Sequence, residues 1–302
     1  MSNGAPTGIA SLPRILYRHR WPYVFIAPFY LLYGALMLYP VVFSFWLSFQ
    51  DWRGQRGSRF IGLGNFERLL EDDIFWTSLV NTLAIGLMYV PLMLFLALVL
   101  AVLLNSALLR LRTFFRAAIF SPFITSLVVM ALVFALIYDQ QAGILNFLLG
   151  LFGVPPIPWT SSAEWSKVSV ALLLLWHWTG YNMVLMLAGL QTIPIDLYEA
   201  AAIDGASARQ RFTAITVPLM RPVILFTAVL STIGTFRVFA EPYILTGGGP
   251  SNSSMTVLLY LYNQAFQGFK LGYASALAYV VVGIVFVLSM LQFRFLGQRD
   301  AG

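Results

Sequence analysis

An all-α membrane protein of six transmembrane helices is the fold this sequence predicts, and two observations carry the prediction. Hydrophobic residues make up 59% of the 302 and charged residues only 10%, far from the roughly one quarter charged residues of a soluble domain. Six apolar runs are also long enough to cross a bilayer, which takes about twenty residues. They are, approximately, Tyr23–Leu47, Leu79–Leu104, Ala117–Tyr138, Val168–Leu190, Val223–Ile244 and Ala274–Phe295. So little chain lies outside them that no separate soluble domain is expected. The organisation is one polytopic domain over 1–302, with a six-helix core at 22–296, a long loop at 191–221 and short ends at 1–21 and 297–302.

Taken in order, the first run is too long for the apolar region of a cleavable signal, and it ends in Trp46-Leu47-Ser48-Phe49 rather than a small-residue cleavage site. After it, the Gly62/Gly64 turn leads into a short amphipathic helix over Asn65–Asp73, with Phe66, Leu69 and Leu70 on one face. Asn81 and Thr82, at the start of the second run, cap or bridge helices. Pro91 and Pro122 kink the second and third runs. A second short helix at Ile144–Leu151 ends at Gly153 and the stiff Pro155-Pro156-Ile157-Pro158, and Trp159 and Trp165 suit an interfacial aromatic belt.

The fourth run holds Trp176-His177-Trp178-Thr179-Gly180-Tyr181-Asn182. Its aromatic faces suit the C–H surfaces of a sugar and its polar groups suit hydroxyls. Between the fourth and fifth runs lies Tyr198-Glu199-Ala200-Ala201-Ala202-Ile203-Asp204-Gly205-Ala206. The alanines favour a helix, Glu199 sits near its start, and Gly205 breaks it or lets a facing surface approach. A second helix from Ser207 to Val217 is stopped or redirected by Pro218 and Pro222. In the fifth run Arg237 and Glu241 are four apart and can pair on one helical face. Thr246–Ser254 then forms a polar turn and Tyr260–Phe269 an aromatic surface segment.

Charge placement orients the chain. Arg14, Arg18 and Arg20, then Arg110, Arg112 and Arg116, then Arg209, Arg211 and Arg221, then Arg294 and Arg299 fall on one side of six spans and hold most of the 18 Lys/Arg. The other side has Arg53, Arg56, Arg59, Arg68, Lys167 and Lys270. By the positive-inside rule both ends and the 191–221 loop are cytoplasmic. The net charge of +6 suits an anionic membrane face, and the basic residues form no stripe that nucleic acid would need. The chain has no cysteine and only two histidines, His19 and His177, which excludes thiol chemistry and argues against a metal site. It has no Walker-type phosphate loop either, and Gly247-Gly248-Gly249 lacks the required lysine.

The Tyr198–Ala206 stretch, with Gln210, Phe212, Ile215, Pro218 and Pro222, closely resembles the EAA loop of permease subunits of bacterial ABC importers. The resemblance covers about Pro22 to Phe295. Tyr39-Pro40, Ser48-Phe49-Gln50-Asp51-Trp52, Gly62-Leu63-Gly64-Asn65-Phe66, Asn81-Thr82-Leu83 and Thr246-Gly247-Gly248-Gly249-Pro250 are similar to the carbohydrate-uptake, maltose-permease-like branch. That resemblance implies a type I importer permease fold and transport of a sugar or oligosaccharide by alternating access. ATP hydrolysis would occur in a partner, so the chain would be no enzyme and would bind no cofactor, ATP and Mg being held by the ATPase. Tyr198, Glu199, Ala200, Ala201, Asp204, Gly205, Ala206, Phe212 and Pro218 would couple to that ATPase. His177, Trp178 and Tyr181 on the fourth span and Ser231, Thr235, Arg237 and Glu241 on the fifth would line the substrate path, with Leu174, Gly234 and Val238 beside them. His177, Thr235 and Val238 stand where the family has amides, which implies a different sugar.

The implied partners are a second homologous permease subunit, two ATP-binding subunits and an extracytoplasmic substrate-binding protein, in a bacterial inner membrane. A polyol or glycerol-phosphate compound is the alternative cargo. An ion-coupled secondary transporter would need intramembrane acids, of which only Glu241 is present, and an intramembrane protease would need a nucleophile setting that is missing.

Overall fold

The computed structural model of the chain describes residues 20–54, 57–106 and 109–296. Arg14, Arg18, His19, Arg56, Arg299 and the segment 297–302 lie outside the described residues. Helix α1 (Arg20–Tyr33), a π-turn at Gly34–Leu38 and α2 (Tyr39–Leu47) form the first apolar span. Its side chains are almost all exposed, and its second half is tied to the last span. There the Tyr279 hydroxyl donates to the Val41 carbonyl at 2.5 Å, and the Phe45 and Tyr279 rings meet edge to face.

A small antiparallel hairpin follows, β1 (Gln50–Trp52) with β2 (Ser58–Phe60), pairing Gln50 with Phe60. This is the one departure from an all-α chain among the described residues. Helix α3 (Gly64–Leu70) buries Leu69 but leaves Leu70 exposed, so its apolar face is narrower than predicted. Helix α4 (Asp73–Asn105) starts at an Asp72 cap, whose Oδ1 accepts from the Ile74 and Phe75 amides at 3.0 and 3.2 Å. It continues through Pro91 without a break.

The third run is not one straight helix. Helices α5 (Arg112–Ile124) and α6 (Leu127–Ile137) meet at 98° across Thr125 and Ser126, whose backbones are extended. Pro122 supplies no amide to the last turn of α5. The Ala118 carbonyl it would have served accepts instead from the Ser121 hydroxyl at 2.9 Å. Helix α7 (Ile144–Gly150) matches the expected short helix. Asn146 stitches the proline-rich segment back onto it, accepting from the Ile157 amide and from Trp159 Nε1. Trp159 is therefore buried on Tyr138, their rings stacked at 5.6 Å, rather than lying in an interfacial belt.

Helix α8 (Trp165–Leu190) and α4 form the central pair. Gly180 is what lets α5 cross α8, since a Cβ there would meet the Ile119 carbonyl oxygen at 2.0 Å. Helix α9 (Ile195–Ile203) then leads to α10 (Ala208–Arg211), a π-turn at Phe212–Thr216 and α11 (Val217–Thr235).

Here the structure corrects the fifth run. One helix of 28 residues covers Ala208–Thr235, and Pro218 and Pro222 neither stop nor redirect it. The π-turn, closed by the Val217 amide on the Phe212 carbonyl, puts Pro218 at the start of α11, where a missing amide matters least. The same arrangement precedes Pro40. The helix ends at Thr235 because the chain tightens there, with Arg237 and Val238 amides bonding back to Gly234 and Thr235, and because Thr256 Oγ1 donates to the Val238 carbonyl at 2.7 Å.

Helix α12 (Ala240–Leu245) is a separate turn packed on α6. Helix α13 (Val257–Tyr262), a π-turn at Asn263–Gln267 and α14 (Leu271–Leu296) complete the chain. Tyr260 and Ala265 are buried, so 260–269 is not simply a surface segment. Counting α5 and α6 as one broken span gives six.

Candidate functional site

The 191–221 loop is built from two capped helices. Asp204, Gly205 and Ala206 end α9 with paired bonds, the Ala206 amide to the Ala201 carbonyl at 2.9 Å and the Gly205 amide to Ala202 at 3.1 Å. Gly205 has φ +78°, a conformation that favours glycine. Ser207 then opens α10 with a reciprocal capping box. Its hydroxyl accepts from the Gln210 amide, and the Gln210 side chain accepts from the Ser207 amide at 2.7 Å. The Tyr198 hydroxyl lies 2.9 Å from Thr216 Oγ1, bridging α9 to the long helix.

These contacts divide the predicted coupling residues. Glu199, Ala200, Asp204 and Gly205 are exposed, and Ala201 and Ala206 are half-buried. Tyr198 is spent on the bridge, Phe212 packs into the inner core with Met186, Leu190 and Met220, and Pro218 is a helical residue. Glu199 sits in the middle of α9, not near its start, where Asp196 stands instead. Sequence reasoning missed Ile203, 86% exposed beside Gly205, and Ile195, 68% exposed. Two bare isoleucines flanking a polar helix are the signal that could have found them.

Along α8 the predicted residues do come together. Phe123 of α5 stacks on Tyr181 at 4.5 Å and lies 5.5 Å from Trp178 and 5.8 Å from His177. His177 is buried, and its Nδ1 finds no hydrogen-bond partner among the described residues. Trp178 and Tyr181 are half-buried, and one face of Tyr181 is taken by Phe123.

The fifth-span set does not hold together. Thr235 is buried on α4, its hydroxyl 2.9 Å from the Tyr89 hydroxyl, and Val238 is in the core. Ser231 and Gly234 stay half-exposed, and beyond the adjoining residues and the helix's own backbone nothing lies within 4 Å of a Cβ built on Gly234. Arg237 and Glu241 form no ion pair. The helix ends between them, so they no longer share a face, and Glu241 is buried in α12 while Arg237 is exposed. Arg237 edges an apolar crevice of about 310 Å³ between Leu258, Leu261 and Val281.

The opposite end of the bundle is bound together by polar side chains. Asn81 Nδ2 donates to the Asn252 and Met255 carbonyls at 2.7 and 3.2 Å, and its Oδ1 accepts from Lys167. Thr82 Oγ1 accepts from the Val257 amide, and Asn65 Nδ2 donates to the Ser48 and Gln50 carbonyls. Asp72 Oδ2 accepts from Tyr260 at 2.5 Å and from Tyr273. Partial burial pushes the Asp72 carboxyl up. The hydrogen bonds from Tyr260, Tyr273 and the two helix amides outweigh that and hold it below its ordinary value. The Thr246–Pro250 turn is folded inward through a 2.7 Å contact between Thr246 Oγ1 and Ser254 Oγ.

Comparison with known proteins gives a consistent result. The family described as binding-protein-dependent transport system inner membrane component matches residues 74–299. The lactose transport system permease protein of Rhizobium radiobacter is 42% identical over 300 residues, covering 98% of this chain and 99% of its own. The arabinooligosaccharides transport system permease protein of Halalkalibacterium halodurans is 36% identical, covering 93% and 89%. In fold, the chain is similar to a crystal structure of a bacterial ABC transporter involved in the import of the acidic polysaccharide alginate. The TM-score is 0.83 at 21% identity, over 96% of this chain and 99% of that one.

Proposed function

This chain belongs to the binding-protein-dependent transport system inner membrane component family, and from that premise we propose that its cargo is a saccharide. It is a multi-pass permease subunit of an ATP-driven importer, and ATP hydrolysis belongs to separate subunits. The saccharide reading rests on relatives matched over nearly the whole chain whose names specify lactose and arabinooligosaccharides. Both ends and the 191–221 loop face the cytoplasm in this reading, on the charge asymmetry of the loops.

One observation supports the mechanism above the others. The loop helix α9 is bridged by Tyr198 to the single helix Ala208–Thr235, and that helix ends beside Ser231, Gly234 and Arg237. Two ATP-binding subunits closing on each other would carry Glu199 and Ile203 with them. A stiff 28-residue helix would deliver that motion to the substrate path as a rigid-body rotation. A second, homologous permease subunit would complete the path, and an extracytoplasmic binding protein would load it. Trp178 and Tyr181 would offer ring faces to the sugar, and Arg237 and Ser231 would offer hydrogen bonds. Of the fifth-span residues expected from sequence, Ser231, Gly234 and Arg237 stay open to the path in this reading, whereas Thr235, Val238 and Glu241 are taken up by packing.

Calorimetry of the cognate binding protein against oligosaccharides, polyols and glycerophosphodiesters tests the cargo. Binding confined to the last two classes would overturn the saccharide reading. For the path, Trp178→Ala should raise the substrate concentration needed for half-maximal uptake while sparing assembly. Leu225→Ala, buried in the same bundle, should act only through the amount of folded protein. Equal losses in the two variants, each in proportion to folded protein, would return Trp178 to helix packing.

A further inference from the structure

The corner where α4 ends and α5 begins holds an apolar groove of about 420 Å³. Leu100, Leu103 and Leu104 form one wall, and Leu109, Phe115 and Ile119 the other. Leu103 and Phe115 are exposed, at 58% and 41%, so the groove opens sideways from the bundle rather than into it. It lies at the same end as the 191–221 loop, since Ser106 also lines a cleft with Ile195 and Tyr198.

Three arginines stand at this corner. Arg116, next to Phe115, donates from Nη2 to the Leu104 carbonyl at 3.1 Å and so closes the end of α4. Its Nε is shielded from solvent and has no hydrogen-bond partner among the described residues. Arg110 and Arg112 are exposed on the same turn. No aspartate or glutamate occurs anywhere in 74–138, so the three charges have no local counter-ion in sequence.

We propose that this corner binds one anionic phospholipid, with an acyl chain in the groove and the phosphate at Arg110, Arg112 and Arg116. Each part of the ligand answers a separate observation. The chain fills an apolar slot open to the bilayer, and the headgroup meets charges at the level where a spanning helix leaves the hydrocarbon. A helix from another polypeptide would cover the leucines and phenylalanine but leave three arginines unmatched.

Native mass spectrometry of the assembled transporter, titrated with phosphatidylglycerol and with phosphatidylcholine of the same chains, tests this. The anionic lipid should be retained preferentially, and each arginine removed should cut the preference about fivefold. Arg110→Gln and Arg112→Gln are the decisive variants, because Arg116→Gln also uncaps α4. Leu103→Trp, which fills the groove, should weaken retention of both lipids. A benzophenone amino acid at Phe115 should cross-link to lipid. Equal retention of the two lipids, an unchanged preference in the Arg110→Gln/Arg112→Gln variant, displacement by inorganic phosphate alone, or a cross-link mainly to a polypeptide would each overturn the proposal.

Discussion

At the end of the bundle that carries the hairpin and the Thr246–Pro250 turn, Asn65, Asn81 and Asn146 each bind backbone groups of another segment, and Asn81 does so across 171 positions of the chain. In the 191–211 loop, by contrast, the side-chain hydrogen bonds described reach no further than Gly189 on one side and Thr216 on the other. The first end is a knot, in which buried amides and hydroxyls join loops to one another. The second is a finished local shape with its apolar tips Ile195 and Ile203 bare. Contacts satisfied internally hold an end fixed, and contacts left open belong to something outside the chain. Under the proposed function the knotted end would be the frame, and the loop the handle by which the frame is moved.

The largest effect expected from this contrast is at the handle. Glu199→Lys should abolish uptake while membrane insertion and thermal stability stay as in the parent, because the side chain is exposed. Gly205→Val should also abolish uptake, now through about 1–3 kcal/mol of backbone strain at φ +78° that would distort the end of α9. If the Glu199→Lys complex assembled fully and kept normal binding-protein-stimulated ATP turnover, the loop would not be the coupling element.

Next in size is the knot. Asn81→Ala leaves the Asn252 and Met255 carbonyls and Lys167 without their partner, at about 1–3 kcal/mol for the buried groups together. A thermal scan should show a lower midpoint with uptake reduced only as far as folded protein is reduced. Stability unchanged in that variant would erase the distinction between the two ends.

Smaller still is Tyr198→Phe, which removes one half-buried hydroxyl contact worth about 0.5–1.5 kcal/mol. It should lower uptake more than stability, since it loosens the handle from the long helix. Equal loss in both would make Tyr198 a plain packing residue.

The smallest effect is a pH dependence of the knot. Asp72 is held ionised below its ordinary value, so its contribution is present at neutral pH and is lost as pH falls through that lowered value. Stability should be flat down to about pH 4 and then fall. Asp72→Asn should remove that final drop, and a drop that persisted in the variant would assign it to another carboxylate.

Much of this was legible in the sequence where a local rule sets the answer. The spans followed from runs of apolar residues, α7 from its turn residues, and the end of α9 from Gly205. Errors arose where an irregular turn or a long-range partner decides. Pro218 signals a helix end in isolation, but a π-turn absorbed it. The four-residue spacing of Arg237 and Glu241 predicts a pair only if the helix continues, and Thr256, eighteen positions beyond Val238, takes the carbonyl and helps end it. Trp159 looked interfacial because nothing near it in sequence reveals Tyr138 and Asn146 beneath it. On α8 the aromatic residues singled out from the sequence share a cluster with Phe123 of α5. On α11 the choice of face depended on Tyr89, a residue of another helix.

The π-turn at Phe212–Thr216 has one more consequence. An α-helix turns about 100° per residue, so the extra residue sets a fixed angular offset between the α10 end and the membrane part of the same rod. Deleting a single residue there would leave a continuous, unstrained-looking helix whose two halves were clocked differently. Thr216 would swing away from Tyr198, and the loop would meet its partner facing the wrong way while every span remained intact. The orientation of the handle is thus stored as a count of residues in one helical turn.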